Sequence, residues 1–318
     1  MDQRTLLLQR LADREAAAVE QVTVNAERSI AALWTGFAAW YSTQQIAALA
    51  QQSIAIQQAA RVQVGNLGVA YMREAIAVLR AARVPAVRLN LPPARLGADL
   101  TAVYSRPASA YQIAFSLTGD ADEALGAALE RSSRLITADL VVARRDGEHQ
   151  QMVAAGVKRY RRIVHPERSE TGVCGLCLAA SDRVYKVAEL MPIHDRCKCT
   201  TAEITDDYDP GEANQVDLDA IYAAAGGTTD GRALKEVRFQ VNQHGELGPV
   251  LTRHGDRFQR QGDAPKGDPI ERARKELDAL LPVLEGLERR AAAGEDVTAP
   301  LGYQRNRIAK LTAITRAA

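Results

Sequence analysis

The chain has 318 residues; 47% are hydrophobic but only 5% aromatic, and the formal net charge is +1. That length accommodates about two domains with a real buried core. Near-neutral charge excludes a polyanion-binding surface spread over the whole molecule and leaves only a local basic patch for such a partner.

At the N-terminus only Leu6, Leu7 and Leu8 run together before charge returns. That is too short for a signal-peptide core, and no apolar run reaches the ~18 residues of a membrane span. The expectation is a soluble chain made in a cytoplasm, where clustered thiols serve as metal ligands or stay reduced more often than they form disulfides.

Residues 2 to about 90 read as long Ala-rich helices. Leu7, Leu11, Ala18, Val22, Ile30, Leu33 and Phe37 recur at helical spacing and predict one apolar face. Trp34, Phe37, Trp40 and Tyr41 gather both tryptophans into about two turns, as core or as an interface anchor. The pattern resumes from Gln44 to Leu79, and prolines at 85, 92 and 93 end the section. Such elongated helices pack on themselves or dock on an oligomeric partner.

A second helical block spans about 98 to 155. Asp120 or Asp122 is its expected N-cap, and Leu125, Leu129, Leu135, Ile136, Leu140 and Val141 supply a stripe. The period then changes. Residues 158–164, 183–187 and 200–204 read as short strands around the cysteines. A polar linker with one short helix near 218–225 follows, then alternation at Val237, Phe239 and Val241, a turn at His244-Gly245, and a returning strand at 250–252. Pro269 opens a helix capped by Asp268, Gly294 ends it, and 298–315 forms the last helix. The expected class is mainly α: long N-terminal helices, a small α+β Cys-rich module, and a C-terminal hairpin plus helical tail. The expected divisions are 1–97, 98–204, 205–266 and 267–318.

All four cysteines fall in one window: Cys174-x2-Cys177 and Cys197-x-Cys199, with His194 beside the second pair. The first pair reaches one ion from a tight turn, and the second places two thiolates on one side of an extended segment. This spacing suits tetrahedral zinc held by four cysteines, or by three and a histidine. With Cys174, Cys177, His194, Cys197 and Cys199 there are five candidates for four positions. A redox-labile or disulfide-forming pair and simple buried thiols are the alternatives. Thiolates are numerous enough to close the site, so a metal here is structural; no catalytic residue is assigned, since a Cys-His pair without an orienting third group is not a nucleophilic site.

The order Cys174-x2-Cys177, a strand-like Arg183-Val184-Tyr185, then Pro192-x-His194-x2-Cys197-x-Cys199 resembles the phage Mu F-like head morphogenesis (minor capsid) proteins. A helical region and a basic strand precede the motif, as in that family, over roughly residues 100–204. Where family members commonly carry proline after the histidine, this chain has Asp195. The stretch from His244 to Thr252 is similar to a segment of minor capsid proteins from tailed phages of actinobacteria. The resemblance implies a non-enzymatic structural protein of the virion, incorporated during head assembly in the host cytoplasm, with the portal or major capsid protein as partner and no membrane contact.

The basic strand Lys158, Arg159, Arg161 and Arg162, with Arg144 and Arg145 nearby, is a candidate contact for packaged-DNA phosphates, the alternative being a solvated or salt-bridged face. A zinc-finger-containing nuclease or DNA-binding protein is the rival class. A His-Asn-His nuclease needs histidine and asparagine shortly after the first cysteines, and 178–193 contains neither.

Overall fold

The computed structural model describes residues 3–165, 168, 181, 184–188, 198–210, 239–244, 246–253 and 269–316. Among them the chain is mainly helical. Its helices are α1 (Gln3–Thr35), α2 (Thr43–Arg80), α3 (Leu100–Tyr104), α4 (Arg106–Thr118), α5 (Ala121–Ala154), α6 (Pro269–Ala292) and α7 (Thr298–Arg316). Strands β1 (Arg159–Ile163), β2 (Val184–Lys186) and β3 (Thr200–Glu203) form one sheet in the order β2-β1-β3, and β4 (Phe239–His244) pairs with β5 (Gly248–Arg253). Both sheets are antiparallel. The short helix expected near 218–225 and the Asp268 cap lie outside the described residues.

The chain forms two compact units, each assembled from separate stretches. The first comprises 1–26, 57–97 and 136–258; the second comprises 27–56, 98–135 and 259–318. Helices α1, α2 and α5 therefore each contribute to both.

In the first unit, Leu8 and Ala12 of α1, Tyr71, Met72, Ala75, Ile76 and Leu79 of α2, and Met152 of α5 share a core with Tyr160, Tyr185 and Ala202 of the sheet. Tyr160 lies opposite Tyr185 in the β1–β2 register, and the rings stack at 5.4 Å. Glu203, opposite Tyr160 on the other side, receives a fork from Arg80 of α2 at 2.8 and 2.5 Å. That bond outweighs the opposing effect of burial and raises the Arg80 pKa.

Helices α2 and α5 cross with their backbones in contact. A Cβ at Gly147 would stand 2.1 Å from the Gly65 carbonyl oxygen, and one at Gly68 would stand 2.5 Å from that of Arg144. Glycine inside a helix ordinarily costs about 1 kcal/mol. Here it is what permits the crossing. Every residue of α5 from Val142 to Glu148 is buried, so this segment has no solvent-facing stripe.

In the second unit, Trp34, Phe37, Trp40, Tyr111 and Phe115 form an aromatic column. Trp40 stacks on Tyr111 at 4.0 Å and on Trp34 at 5.6 Å, and Phe37 stands edge-on to both tryptophans. The α1–α2 turn is thus closed by rings, as core. Ala50, Ile54, Val103, Tyr104 and Leu135 make a second cluster. The α6–α7 hairpin is held by buried Gln304, whose Nε2 donates to the Leu280 carbonyl at 3.0 Å, and by ion pairs Arg305–Glu288 and Arg307–Glu276. Asp120 is the cap of α5: its Oδ1 accepts from the backbone N–H of Asp122 at 2.8 Å and of Glu123 at 3.1 Å.

The face of α1 differs from the periodicity reading. Leu7 is exposed, while Thr5, Leu8, Ala12, Glu15, Ala26, Ile30 and Trp34 are buried. The buried stripe includes polar side chains, so counting only apolar residues rotates the predicted face.

Candidate functional site: the base of the cysteine window

Of the five candidate ligands, Cys174, Cys177, His194 and Cys197 lie outside the described residues. Cys199 lies inside them, buried at the entry to β3. The described residues contain no cluster of three or more His, Cys, Asp or Glu side chains placed to hold a metal. As donors, four thiols and an imidazole fit zinc.

What is described is the base on which the window's last cysteine stands. Arg144 of α5 reaches it directly, Nη2 donating to the Cys199 carbonyl at 2.7 Å. The same guanidinium donates from Nε to Glu148 Oε1 at 2.9 Å. Glu148 Oε2 accepts from the Thr201 hydroxyl at 2.5 Å, and the Tyr71 hydroxyl of α2 donates to the Thr201 carbonyl at 3.0 Å. Burial foremost, with Glu148 nearby, pushes the Tyr71 phenol above its ordinary range. His165, just past β1, holds the Thr200 hydroxyl at 2.8 Å. Each residue from Cys199 to Thr201 is thereby tied to a helix or to the end of β1.

Glu15 of α1 enters this cluster from another side. Its Oε1 is 2.9 Å from Arg144 Nε, yet neither of its oxygens accepts a hydrogen bond. The single Nε–H of Arg144 is aimed at Glu148, so Glu15 has the guanidinium charge beside it without that hydrogen bond. Burial, opposed by Arg144 and assisted by Glu148, pushes the Glu15 carboxyl up to about 7. Arg168 completes the edge, donating to Asp13 Oδ1 at 2.7 Å.

A second buried network lies in the same unit. Asp139 of α5, fully buried, accepts from Gln57 Nε2 at 2.9 Å and pairs with Arg95 Nε at 2.6 Å. Arg95 also donates to Glu246 at 3.0 Å, in the turn between β4 and β5. That turn is fastened by His244, whose Nδ1 accepts from the N–H groups of Glu246 and Leu247 at 3.1 and 3.2 Å. His244 therefore serves a turn, which was the sequence expectation.

The basic strand separates into distinct environments. Lys158 and Arg159 are exposed. Arg161 forks onto Asp209 at 2.6 and 2.7 Å, and Arg162 is fully buried. Arg144 and Arg145 are buried too.

Glu15, Glu148, Asp139 and Arg95 are absent from the sequence-derived candidates. One available signal was Asp139 standing within the apolar run Leu135, Ile136 and Leu140, a charge at a core-facing helical position. Comparison of the chain with protein-family models, curated proteins and solved structures finds no match in any of the three.

Proposed function

We propose that this is a non-enzymatic minor capsid, or head morphogenesis, protein of a tailed phage, incorporated while the head assembles and seated at the portal or inner capsid. The observation that carries the reading is the motif order Cys174-x2-Cys177 followed by Pro192-x-His194-x2-Cys197-x-Cys199, behind a helical block and a basic strand. Its setting supports a scaffold role: β1, β2 and β3 form one small sheet packed on long helices, and the Cys199 end of the window rests on a buried ionic base.

In this reading, zinc held by four of Cys174, Cys177, His194, Cys197 and Cys199 serves as a structural clip, substituting for a core that so few residues cannot build. Contact with packaged DNA falls to Lys158 and Arg159, the exposed members of the basic strand. The portal or major capsid protein is the partner. Mass spectrometry of purified virions and procapsids is the test. The chain is expected in both, at a fixed ratio to the portal protein; its absence from both would refute the assignment.

A further inference from the structure

Among the described residues of the base, Glu15 is the carboxylate whose oxygens accept no hydrogen bond, although Arg144 Nε stands 2.9 Å away. Both its oxygens are buried without a hydrogen bond, and its side chain is 2% exposed. The charged groups around it are Arg144 and Glu148 of α5 and Arg168, with the Tyr71 hydroxyl of α2 close by. On its own helix Asp13 holds Arg168, and Arg14 pairs with Glu74 of α2 nearer solvent. Among the described residues, with every group ionised, Arg144 and Arg168 face Glu15, Glu148 and Asp13, two positive charges against three negative. A proton on Glu15 brings that set to neutrality. An ionised Glu15 is a buried charge with the Arg144 guanidinium beside it but no donor aimed at it, because Arg144 Nε–H serves Glu148 and Nη2 serves the Cys199 carbonyl.

We propose that Glu15 is a proton-held latch: the segment of α1 from Arg4 to Glu15 stays seated on α2, α5 and the sheet while Glu15 is neutral, and unseats when it ionises. Unseating returns the carboxylate to water. The segment is also attached beyond the Asp13–Arg168 and Arg14–Glu74 ion pairs. Thr5 shares a hydrogen bond with the Tyr208 hydroxyl at 2.9 Å, Arg4 reaches Asp207 at 2.7 Å, and Leu8 and Ala12 contribute to the core. The upward push that burial exerts on the carboxyl, to about 7, puts the transition near neutral pH. The latch also adjoins the cysteine window, since Arg144 bonds both the cluster and the Cys199 carbonyl.

The test uses the full chain. A carbon-13 titration of the glutamate carboxyls in the wild type gives the Glu15 midpoint, identified by the resonance missing from Glu15→Gln. A midpoint near 7 is expected; one in the ordinary range below 5 overturns the latch. Amide exchange in residues 4–15, corrected for the intrinsic pH dependence of exchange, supplies the second reading. Protection is expected to fall at least tenfold across the Glu15 midpoint in the wild type and to stay level in Glu15→Gln. Equal pH profiles in the two proteins, or unchanged protection across the midpoint, overturn the proposal.

Discussion

The two units bury different things. Every buried charged side chain among the described residues belongs to the first: Glu15, Arg61, Arg95, Asp139, Arg144, Arg145, Asp146, Glu148, Arg162 and Glu203, with His165 beside them. Among the described residues, the second buries only Ser53, Ser116, Ser132 and Gln304 of the polar ones, and holds both tryptophans in its aromatic column. One chain thus uses two strategies. Burying charge demands that each group be paired and makes the arrangement depend on pH and on backbone placement. Burying rings demands only shape and area. The first strategy stands at the foot of the cysteine window, where a small sheet must be held in one register.

The comparison is broken most forcefully by removing one member of each core. Asp139→Ala leaves Arg95 without its buried carboxylate and is expected to destabilise the first unit by about 3–5 kcal/mol. Trp40→Ala is expected to cost the second unit a similar ~3–5 kcal/mol through the cavity it opens. Urea unfolding followed by tryptophan fluorescence reports the second unit, where both tryptophans lie. Amide exchange in 57–80 and 136–154 reports the first. Trp40→Ala should lower the protection of 43–56 more than that of 57–80.

The next effect is that of pH. Burial raises the Glu15 pKa from its usual 4.5 to about 7, so between those values the folded state holds a proton that the unfolded state has released. Stability is fully present below about pH 4.5 and declines as pH rises through about 7. The difference between wild type and Glu15→Gln isolates this part. Asp146, whose carboxyl is also raised chiefly by burial, adds in the same direction.

Packing gives a sharper but smaller contrast. Gly147→Ala puts a methyl group into the Gly65 carbonyl and is expected to cost about 1–3 kcal/mol, because the obstacle is backbone and no rotamer relieves it. In the same helix, Gly126→Ala meets nothing within 4 Å and is expected to stabilise by about 0.5–1 kcal/mol. Thermal unfolding of the pair separates a glycine that carries a helix crossing from one that does not. Smallest is Asp120→Ala, which removes the cap of α5 for about 1 kcal/mol.

Much of the fold was legible in the residues. Helical period marked the long helices, strand period marked β1 to β5, and Asp120 was among the two expected caps, because these features are local. What was not legible came from distance. The glycines at 65, 68 and 147 read as interruptions of a helix until two helices meet there. Asp139 stands at a core-facing position of its helix, but its partner Arg95, like the Arg144 that meets Glu15, comes from a remote part of the chain. Strand period marked Arg161 and Arg162 as neighbours of Lys158 and Arg159 without revealing that Asp209 takes one and the interior takes the other. The cysteine spacing spoke for itself only as ligand chemistry. Of its geometry, the described residues hold the Cys199 end.

The proposed structural metal clip in the window, seated on that charged base, is tested most directly by metal content. The reduced full-length protein is expected to carry about one zinc per chain. Replacement of Cys174 or Cys197 by serine should lower that content and the amide protection of the sheet together. A wild-type protein that contains no zinc under reducing conditions contradicts the clip, while the capsid assignment stands or falls with the virion measurement.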